Sequence, residues 1–177
     1  FVLATQNPIE QDGTYPLPEA QTDRFMFKLT VNFPSADELY DIVAMTQKTM
    51  SEQASAVVTA KDLLDMRACA SDIPCMEDVL RYTMRLVCAT HPELPDSPEC
   101  TKKYLRFGAS PRAAQALITA GKVRALMNGR FNVSYEDIRA LAYPVLRHRI
   151  KPGYAAITEK MTADDCIRTL IDSVPKK

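Results

Sequence analysis

Three polar side chains of this sequence, Asn7, Arg24 and Arg112, are suited to binding an anion. Asn7 follows the apolar run of residues 1–5 at the end of a predicted strand, where open α/β sheets usually bind ligands. Arg112 lies in the first turn of a helix predicted to begin after Ser110, where free N–H groups and the helix dipole favour an anion. Arginine binds phosphate through two parallel hydrogen bonds. Phosphoryl transfer is one reaction that uses such groups. An amide can orient the attacking water, and cations neutralise the charge that develops.

Each of these residues also has a simpler interpretation when it is taken alone. Asn7 precedes Pro8, and this pair is common in turns. Arg24 follows Asp23 and is typical of an exposed ion pair, which contributes little to stability. Arg112 on its own is most often a solvated residue at a helix start. The choice between these interpretations therefore depends on the surrounding sequence.

Two further groups of charged residues could take part in chemistry or binding. Glu19 and Asp23 are four residues apart, the spacing of paired carboxylates on one helix face, but no recognisable partner supports acid–base catalysis. A subunit-contact or capping role is the better prediction for both. The basic cluster Arg147-His148-Arg149, with Lys151, predicts a solvated helix end that complements the helix dipole, with a partner contact as the alternative.

The elements that hold these residues divide the sequence at Phe33. Residues 1–33 contain two apolar or alternating runs, over 1–5 and 25–33, which predict two short strands around a connection rich in Gly and Pro. Residues 34–177 show helical periodicity and repeated capping signals. The sequence therefore predicts a mainly α chain, with a helical domain over 34–177 preceded by a partial α/β segment over 1–33.

Six helices are predicted in the second region from hydroxyl caps and apolar spacing. A loop rich in Pro is predicted over 92–106. The predicted helices begin near Ser35, Thr59, Ser71 or Asp72, Pro111, Ser134 and Thr162 and end near Met50, Ala70, His91, Met127, Arg149 and Asp172, with Asn128-Gly129 ending the fourth and Pro144 kinking the fifth.

Composition excludes several classes of protein. The 22 basic and 22 acidic residues give a formal net charge of zero, which argues against nucleic-acid or membrane-surface binding driven by charge. No apolar run approaches the ~20 residues of a membrane span. The five cysteines form no C-x-x-C pair and predict a reduced, cytoplasmic setting. A zinc site from Cys88, His91 and Cys100 lacks a second close ligand pair, so small apolar packing is the better prediction.

Four segments, taken together and in this order, resemble the MoxR group of AAA+ ATPases over nearly the whole chain. The resemblance implies that Asn7 is the sensor 1 residue, that Arg24 is the arginine finger for a neighbouring subunit's nucleotide, and that Arg112 is the sensor 2 residue of a helical lid. The segments are Ala4-Thr5-Gln6-Asn7-Pro8, Gly13 to Phe25 (GTYPLPEAQTDRF), Phe107 to Ala113 (FGASPRA) and Ala142 to Arg149 (AYPVLRHR).

The resemblance also implies cofactors and partners. It predicts ATP and Mg²⁺ as cofactors of the intact protein and a homo-oligomeric ring, a hexamer. It further predicts chaperone-like remodelling or activation of protein clients, among them von Willebrand factor A-domain proteins. The phosphate loop G-x-x-x-x-G-K-[ST] and an acidic Mg²⁺ site are absent from the sequence and are expected upstream of it. The chain alone is therefore predicted not to hydrolyse ATP.

Two other interpretations stay open at this stage. A stand-alone helical interaction module, or a nucleic-acid-binding one, would use the predicted helix from Ser134 to Arg149 in a helix-turn-helix. The zero net charge and the lack of a sustained basic face count against nucleic acid. The magnesium-chelatase-like branch shares the general layout, but the stretch from Gly13 to Gln21 favours the MoxR group.

Overall fold

The structure is a computed structural model that describes residues 2–6, 17–47 and 55–176. Asn7 lies outside the described residues, so its predicted role as sensor 1 stays a prediction. Within the described residues the chain is mainly α, as the sequence predicts. The helices are α1 (Glu19–Thr22), α2 (Ala36–Gln47), α3 (Ala60–Ser71), α4 (Glu77–Cys88), α5 (Glu99–Tyr104), α6 (Pro111–Met127), α7 (Tyr135–Leu146), α8 (Tyr154–Thr158) and α9 (Ala163–Ser173).

Capping signals in the sequence correctly predict where most of the longer helices begin. Thr59, Ser134 and Thr162 each cap a helix in a complete capping box, in which an aspartate three residues later bonds back to the cap. Before α2, the Ser35 N–H and hydroxyl both donate to Glu38. Hydroxyl caps satisfy N–H groups that the first helical turn leaves free.

Two predicted helix boundaries differ from the structure. Helix α4, which is predicted to begin near Asp72, begins at Glu77. Its N-cap residue, Met76, makes no side-chain hydrogen bond to the first turn. Just before it, Pro74 accepts a hydrogen bond from the Val133 N–H (3.2 Å), so this stretch of chain packs against the α6–α7 loop. The helix predicted to reach Arg149 ends at Leu146 instead.

Two short strands, both in the second half of the chain, occur among the described residues. β1 (Leu105–Phe107) and β2 (Lys151–Pro152) pair antiparallel with an irregular register. The prediction of a loop over 92–106 is therefore wrong from residue 99 onwards, where α5 leads directly into β1. Periodicity misses such short elements, because three residues of strand carry too little pattern.

The strands predicted over 1–5 and 25–33 are absent from the described residues of those segments. A strand needs a second strand for its hydrogen bonds. Here the Lys28 N–H donates instead to the carbonyl of Pro144, near the end of α7 (2.8 Å). Phe25 is half-buried, and the later apolar residues of the segment stay exposed, including Leu29, Val31 and Phe33.

The buried core extends from Ile73 to Val174 among the described residues. Helix α6 packs between α4 and α7, and α7 also contacts α9. Gly121 permits the close approach of α6 to the chain before α7, because a Cβ there would lie 2.9 Å from Val133. The largest fully buried side chains include Tyr82, Leu86, Leu117, Ile138, Leu146, Ile150, Ile167 and Leu170. This core holds both ends of the candidate site, the start of α6 and the end of α7.

Helix α6 ends in a Schellman motif, which the sequence predicts from Asn128-Gly129. The N–H of Gly129 bonds to Leu126 (2.8 Å) and that of Arg130 to Ala125 (2.9 Å). Gly129 has a φ of 66°, in the left-handed region that glycine adopts without strain. The chain thus turns sharply from α6 into α7.

Candidate functional site

The first turn of α6 is held in place by close contacts to the end of α4. The Ala109 N–H donates to the hydroxyl of Thr90 (2.9 Å), and the Ala109 carbonyl is 3.0 Å from Nε2 of His91. A Cβ on Gly108 would lie 2.7 Å from the His91 ring and 2.8 Å from the Thr90 carbonyl, so only glycine fits without a shift. Ser110 then caps α6 by accepting the N–H of Arg112 (3.2 Å). These contacts fix the backbone that presents Arg112.

Asp23 is the acceptor that joins the start of α6 to the N-terminal segment. Its carboxylate accepts the hydroxyl of Ser110 at 2.8 and 2.9 Å, Nη1 of Arg112 at 3.1 Å and Nε of Arg149 at 3.0 Å. Its side chain is 15% exposed, whereas the Arg112 side chain is 53% exposed. Asp23 is thus a nearly buried carboxylate with cationic partners from two elements. The exposed Asp23–Arg24 ion pair, considered above as the simpler interpretation, does not form.

Arg149 holds the N-terminal segment against α7. Its side chain is 2% exposed. Besides Asp23 Oδ1, its guanidinium donates to main-chain carbonyls on both sides of the contact. These bonds go to Asp23 (2.9 Å), Phe25 (2.7 Å), Met26 (3.2 Å) and Val145 (2.6 Å). A single buried side chain therefore fixes the backbone on which Arg24 is carried.

The prediction that residues 147–149 form a solvated helix end is wrong. Arg147 bonds in a fork to Asp164 at 2.6 and 2.9 Å and donates to the Lys28 carbonyl at 2.9 Å. His148 Nε2 is 3.0 Å from the Phe25 carbonyl, so this nitrogen carries the proton. The cluster faces the chain's own N-terminal segment. Sequence alone missed this because the carbonyls that it binds lie more than 100 residues away.

Every carbonyl in the last turn of α7 has a partner. Those of Tyr143 and Leu146 accept local N–H groups after the helix, and that of Val145 accepts the Arg149 side chain. The Pro144 carbonyl accepts the distant Lys28 N–H. Helix ends normally leave four carbonyls without intrahelical partners. The docking of residues 23–28 completes the end of this helix.

Arg24 and Arg112 line one shallow cavity of about 240 Å³. Arg149 and Asp23 also reach it, as do Met26 and residues from the first half of α6. The Arg24 side chain is exposed and makes no hydrogen bond or ion pair with any residue that the structure describes. The cavity therefore has three guanidinium groups and one carboxylate, an arrangement that favours an anion.

Burial and hydrogen bonding act in opposite directions on the pKa values of Asp23 and Arg149. Burial raises the pKa of Asp23 more than any one contact lowers it, but the bonds from Ser110, Arg112 and Arg149 together hold the pKa below its usual value. Burial lowers the pKa of Arg149, and Asp23 opposes that change. Arginine stays protonated at neutral pH. Asp23 is thus an anion at neutral pH, placed between the cations of Arg112 and Arg149.

The structure brings together two of the three predicted site residues, Arg24 and Arg112. The sequence analysis missed the supporting roles of Asp23, Ser110 and Arg149 at this cavity. Ser110 was identified only as a helix cap, and Asp23 only as a possible capping or contact residue. Glu19, the other carboxylate considered for acid–base work, lies 3.3 Å from Lys151 Nζ. The signal for Asp23 was its position directly before Arg24, but its partners are distant in sequence.

Metal ligands are not grouped in the part of the chain that the structure describes. No cluster of three or more His, Cys, Asp or Glu side chains is placed to hold a metal ion there. Of the zinc candidates, His91 has both ring nitrogens next to oxygen atoms, with Nδ1 2.7 Å from Glu93. All five cysteines are free thiols. Among the described residues no helix is both long and apolar enough to span a membrane.

Two family models match separate segments of the chain. A family model described as "AAA lid domain" matches residues 98–170. A second, "ATPase family associated with various cellular activities (AAA)", matches residues 1–27. Arg24 thus lies in the segment similar to the ATPase family and Arg112 in the segment similar to the lid domain.

Relatives cover almost the whole chain. It is 36% identical over 174 residues to Chaperone MoxR1 of Mycobacterium tuberculosis, a match that covers 98% of this chain and 46% of that protein. It is 30% identical over 168 residues to Protein MoxR of Paracoccus denitrificans, covering 86% of this chain and 49% of that protein. The crystal structure of a candidate ATPase from Cytophaga hutchinsonii superposes with a TM-score of 0.86 at 34% identity, covering 96% of this chain and 52% of that chain.

The chain spans about half the length of these relatives. The match in sequence extends across both family models, and the match in structure includes the helical part. The chain belongs to the MoxR group of AAA+ ATPases and carries that family's helical lid together with a piece of its ATPase core.

Proposed function

We propose that this chain is the sensor and lid part of a longer ATPase that hydrolyses ATP in a homo-oligomeric ring, a hexamer, in the cytoplasm. The ring uses hydrolysis for chaperone-like remodelling or activation of protein clients, including von Willebrand factor A-domain proteins. The chain alone does not hydrolyse ATP. The observation that carries this proposal is the cavity where Arg24 and Arg112 converge, since it presents cations to a phosphate.

Arg24 is the arginine finger in this proposal. Its side chain is exposed and has no partner among the described residues, while Arg149 holds the backbone on either side of it. A cation that is free at its tip and fixed at its base can reach a phosphate with little loss of conformational freedom. Arg24 therefore neutralises charge on the γ-phosphate of a nucleotide bound to the neighbouring subunit.

Arg112 is the sensor 2 residue. Among the described residues its guanidinium bonds only to Asp23, through Nη1, which leaves its other N–H groups to bind a phosphate in this proposal. It projects from the first turn of α6, where the helix dipole also favours an anion. Because Arg24 and Arg112 line the same cavity, the two guanidinium groups meet the phosphates of one nucleotide.

The remaining parts of the site come from the resemblance to the family. Asn7, as sensor 1, orients the attacking water. Mg²⁺ is held by residues of the longer protein, since the described residues contain no cluster for it. When bound, Mg²⁺ neutralises charge on the phosphates.

The competing nucleic-acid function loses its basis in the structure. Arg147 and Arg149 face the chain's own segment 23–28, so the basic cluster is not presented to a partner. Helix α7, offered as a recognition helix, buries residues along its length, from Asp137 to Leu146. We therefore expect no appreciable binding to random duplex DNA at physiological salt.

The test uses the longer protein with single substitutions at the cavity. Arg24→Ala should retain ATP binding and lose turnover by about 10³-fold or more, the usual effect of removing an arginine finger. Arg112→Ala should also lower turnover and should weaken the coupling of nucleotide to lid position. Arg168→Ala is the matched control, because this arginine is exposed on α9, far from the cavity in sequence and in a local ion pair. Unchanged turnover in both cavity variants would disprove the proposal.

Mixed rings test whether the two arginines act on one nucleotide. Arg24→Ala subunits mixed with subunits that cannot bind ATP should recover activity if Arg24 acts across the subunit boundary. Arg24→Ala mixed with Arg112→Ala should not recover, because every shared site would still lack one of the two cations. Recovery in this second mixture would show that the two arginines serve different nucleotides.

A further inference from the structure

We propose that Asp23 is a positioning residue that fixes Arg24 and Arg112 relative to each other, so that the two cations act as a unit. This inference rests on the proposed function above. It adds a residue whose carboxylate sets the geometry of the two arginines that are proposed to contact the nucleotide.

The first support is the way in which Asp23 is itself held. Its carboxylate accepts hydrogen bonds on both oxygens, and its main-chain carbonyl accepts Nη2 of Arg149 at 2.9 Å. Backbone and side chain are thus fixed at once. Because Arg24 is the next residue, the starting point of its side chain is fixed as well.

The second support is the contact to α6. Asp23 bonds to Ser110, the cap of α6, and to Arg112, two residues further on. Any shift of α6 relative to the segment 23–28 must therefore break or move these bonds. Asp23 thus links the two arginines of the cavity, since its peptide bond joins it to Arg24 and its carboxylate accepts a hydrogen bond from Arg112.

The third support is charge. Arg24, Arg112 and Arg149 converge on one small cavity, where three cations would repel each other. Asp23 is the carboxylate among the residues that line it. It lets the guanidinium groups approach while leaving an excess of positive charge for a phosphate. A neutral residue at this position would keep the shape and lose this balance.

A double-mutant cycle in the longer protein tests the inference. Asp23→Asn keeps the size of the side chain and removes its charge. We expect kcat to fall by about 10- to 100-fold, with KM changed much less, as small displacements of catalytic groups do. Asp23→Asn added to Arg112→Ala should lower kcat little further, because the residues act through one another. A purely structural role would give additive losses.

Two additional variants make the result decisive. Asp164→Asn removes a charge from the Arg147 pair that holds the same segment, and it should leave kcat near the wild-type value. Asp23→Glu keeps the charge paired to Arg149, so it remains useful should Asp23→Asn fail to fold. It moves the carboxylate by one methylene and should lower kcat in the same direction.

Specific outcomes would overturn the inference. They are wild-type kcat in Asp23→Glu, raised turnover in Asp23→Asn, or additivity with Arg112→Ala. If Arg24→Ala and Arg112→Ala lose turnover while Asp23→Asn does not, only the positioning role fails. If neither arginine variant loses turnover, the proposed function itself fails and the inference fails with it.

Discussion

Helices α2 and α3 begin with side-chain caps, as α6, α7 and α9 do, yet neither contains a fully buried residue. Neither has a buried residue among those described, whereas the core runs from Ile73 to Val174. In α2, Leu39, Ile42, Val43 and Met45 are between 41% and 70% exposed. The comparison separates two questions that sequence patterns tend to merge. A cap and an apolar stripe predict that a helix forms, but they do not show what that stripe packs against.

The segment 23–28 is intermediate between the exposed helices α2 and α3 and the packed core in how it is attached. Its side chains are mostly exposed, but its backbone is bonded to the end of α7 through Arg147, His148 and Arg149. Polar contacts therefore attach it to the packed region without apolar burial. These hydrogen bonds join residues on the two sides of Phe33. The domain boundary predicted at Phe33 stays a prediction.

The largest expected effect is the loss of this polar attachment. Arg149→Ala should lower the free energy of unfolding by about 3–5 kcal/mol, because it takes the guanidinium away from the Val145 carbonyl and from the carbonyls of segment 23–28, and removes the buried cation paired with Asp23. Chemical denaturation measures it. Trypsin should also cleave faster after Lys28, which the Arg147 and Pro144 contacts hold. Arg168→Ala, in an exposed pair, should change neither. Equal stability of Arg149→Ala and wild type would contradict the attachment.

A pair of leucines tests the comparison of the two regions directly. Leu117→Ala in α6 should cost about 2–5 kcal/mol of unfolding free energy, because it creates a cavity at a fully buried position. Leu39→Ala in α2 makes the same chemical change at an exposed position and should cost less than about 0.5 kcal/mol. Similar losses at both sites, measured by urea unfolding, would show that α2 is packed after all.

Two capping boxes of the same kind, one in the core and one outside it, give a smaller contrast in stability. Ser134 and Thr59 each form a complete capping box with an aspartate. Ser134→Ala should lower global stability by about 1 kcal/mol, since α7 is part of the core. Thr59→Ala should leave the main unfolding transition unchanged and reduce only helical circular dichroism. A loss of global stability in Thr59→Ala would join α3 to the cooperative unit.

The smallest effect concerns acid pH. Burial raises the pKa of Asp137, but the hydrogen bonds from Arg130 and Ser134 together lower it by more. The pKa in the folded state therefore lies below that in the unfolded state. This stabilisation is fully present above the unfolded pKa and is lost as pH falls through the folded pKa. Asp137→Asn should therefore flatten the acid side of the stability–pH curve. The bonds from Thr59 also lower the pKa of Asp62. Asp62→Asn should nevertheless leave the stability–pH curve unchanged, because α3 contains no fully buried residue.

Local signals in the sequence predicted much of the fold. The hydroxyl caps at Ser110, Ser134 and Thr162 gave correct helix starts, and Asn128-Gly129 gave a correct helix end. These signals involve atoms within a few residues of each other. The strands predicted over 1–5 and 25–33 failed where described, because a strand depends on a partner that no local pattern reveals.

The candidate site divides in the same way. Arg24 and Arg112 were found from motifs and physical suitability, and the structure places both at one cavity. Asp23 and Arg149 were not recognised as their supports, because the bond between them spans more than 120 residues. Arg149 in particular has the sequence context of a surface residue and the environment of a buried one. Long-range hydrogen bonds to main-chain carbonyls leave no periodic trace.

The hydrogen bond from the Lys28 N–H to the Pro144 carbonyl offers a direct way to observe whether segment 23–28 stays attached to the end of α7. Lys28 is exposed and lies in no helix or strand, so its amide would otherwise exchange with deuterium at nearly the rate of an unfolded peptide. Its exchange rate measures how often the segment leaves the end of α7. Exchange at this one backbone position, followed by NMR or mass spectrometry as nucleotide is added to the longer protein, would thus report whether the segment detaches from α7.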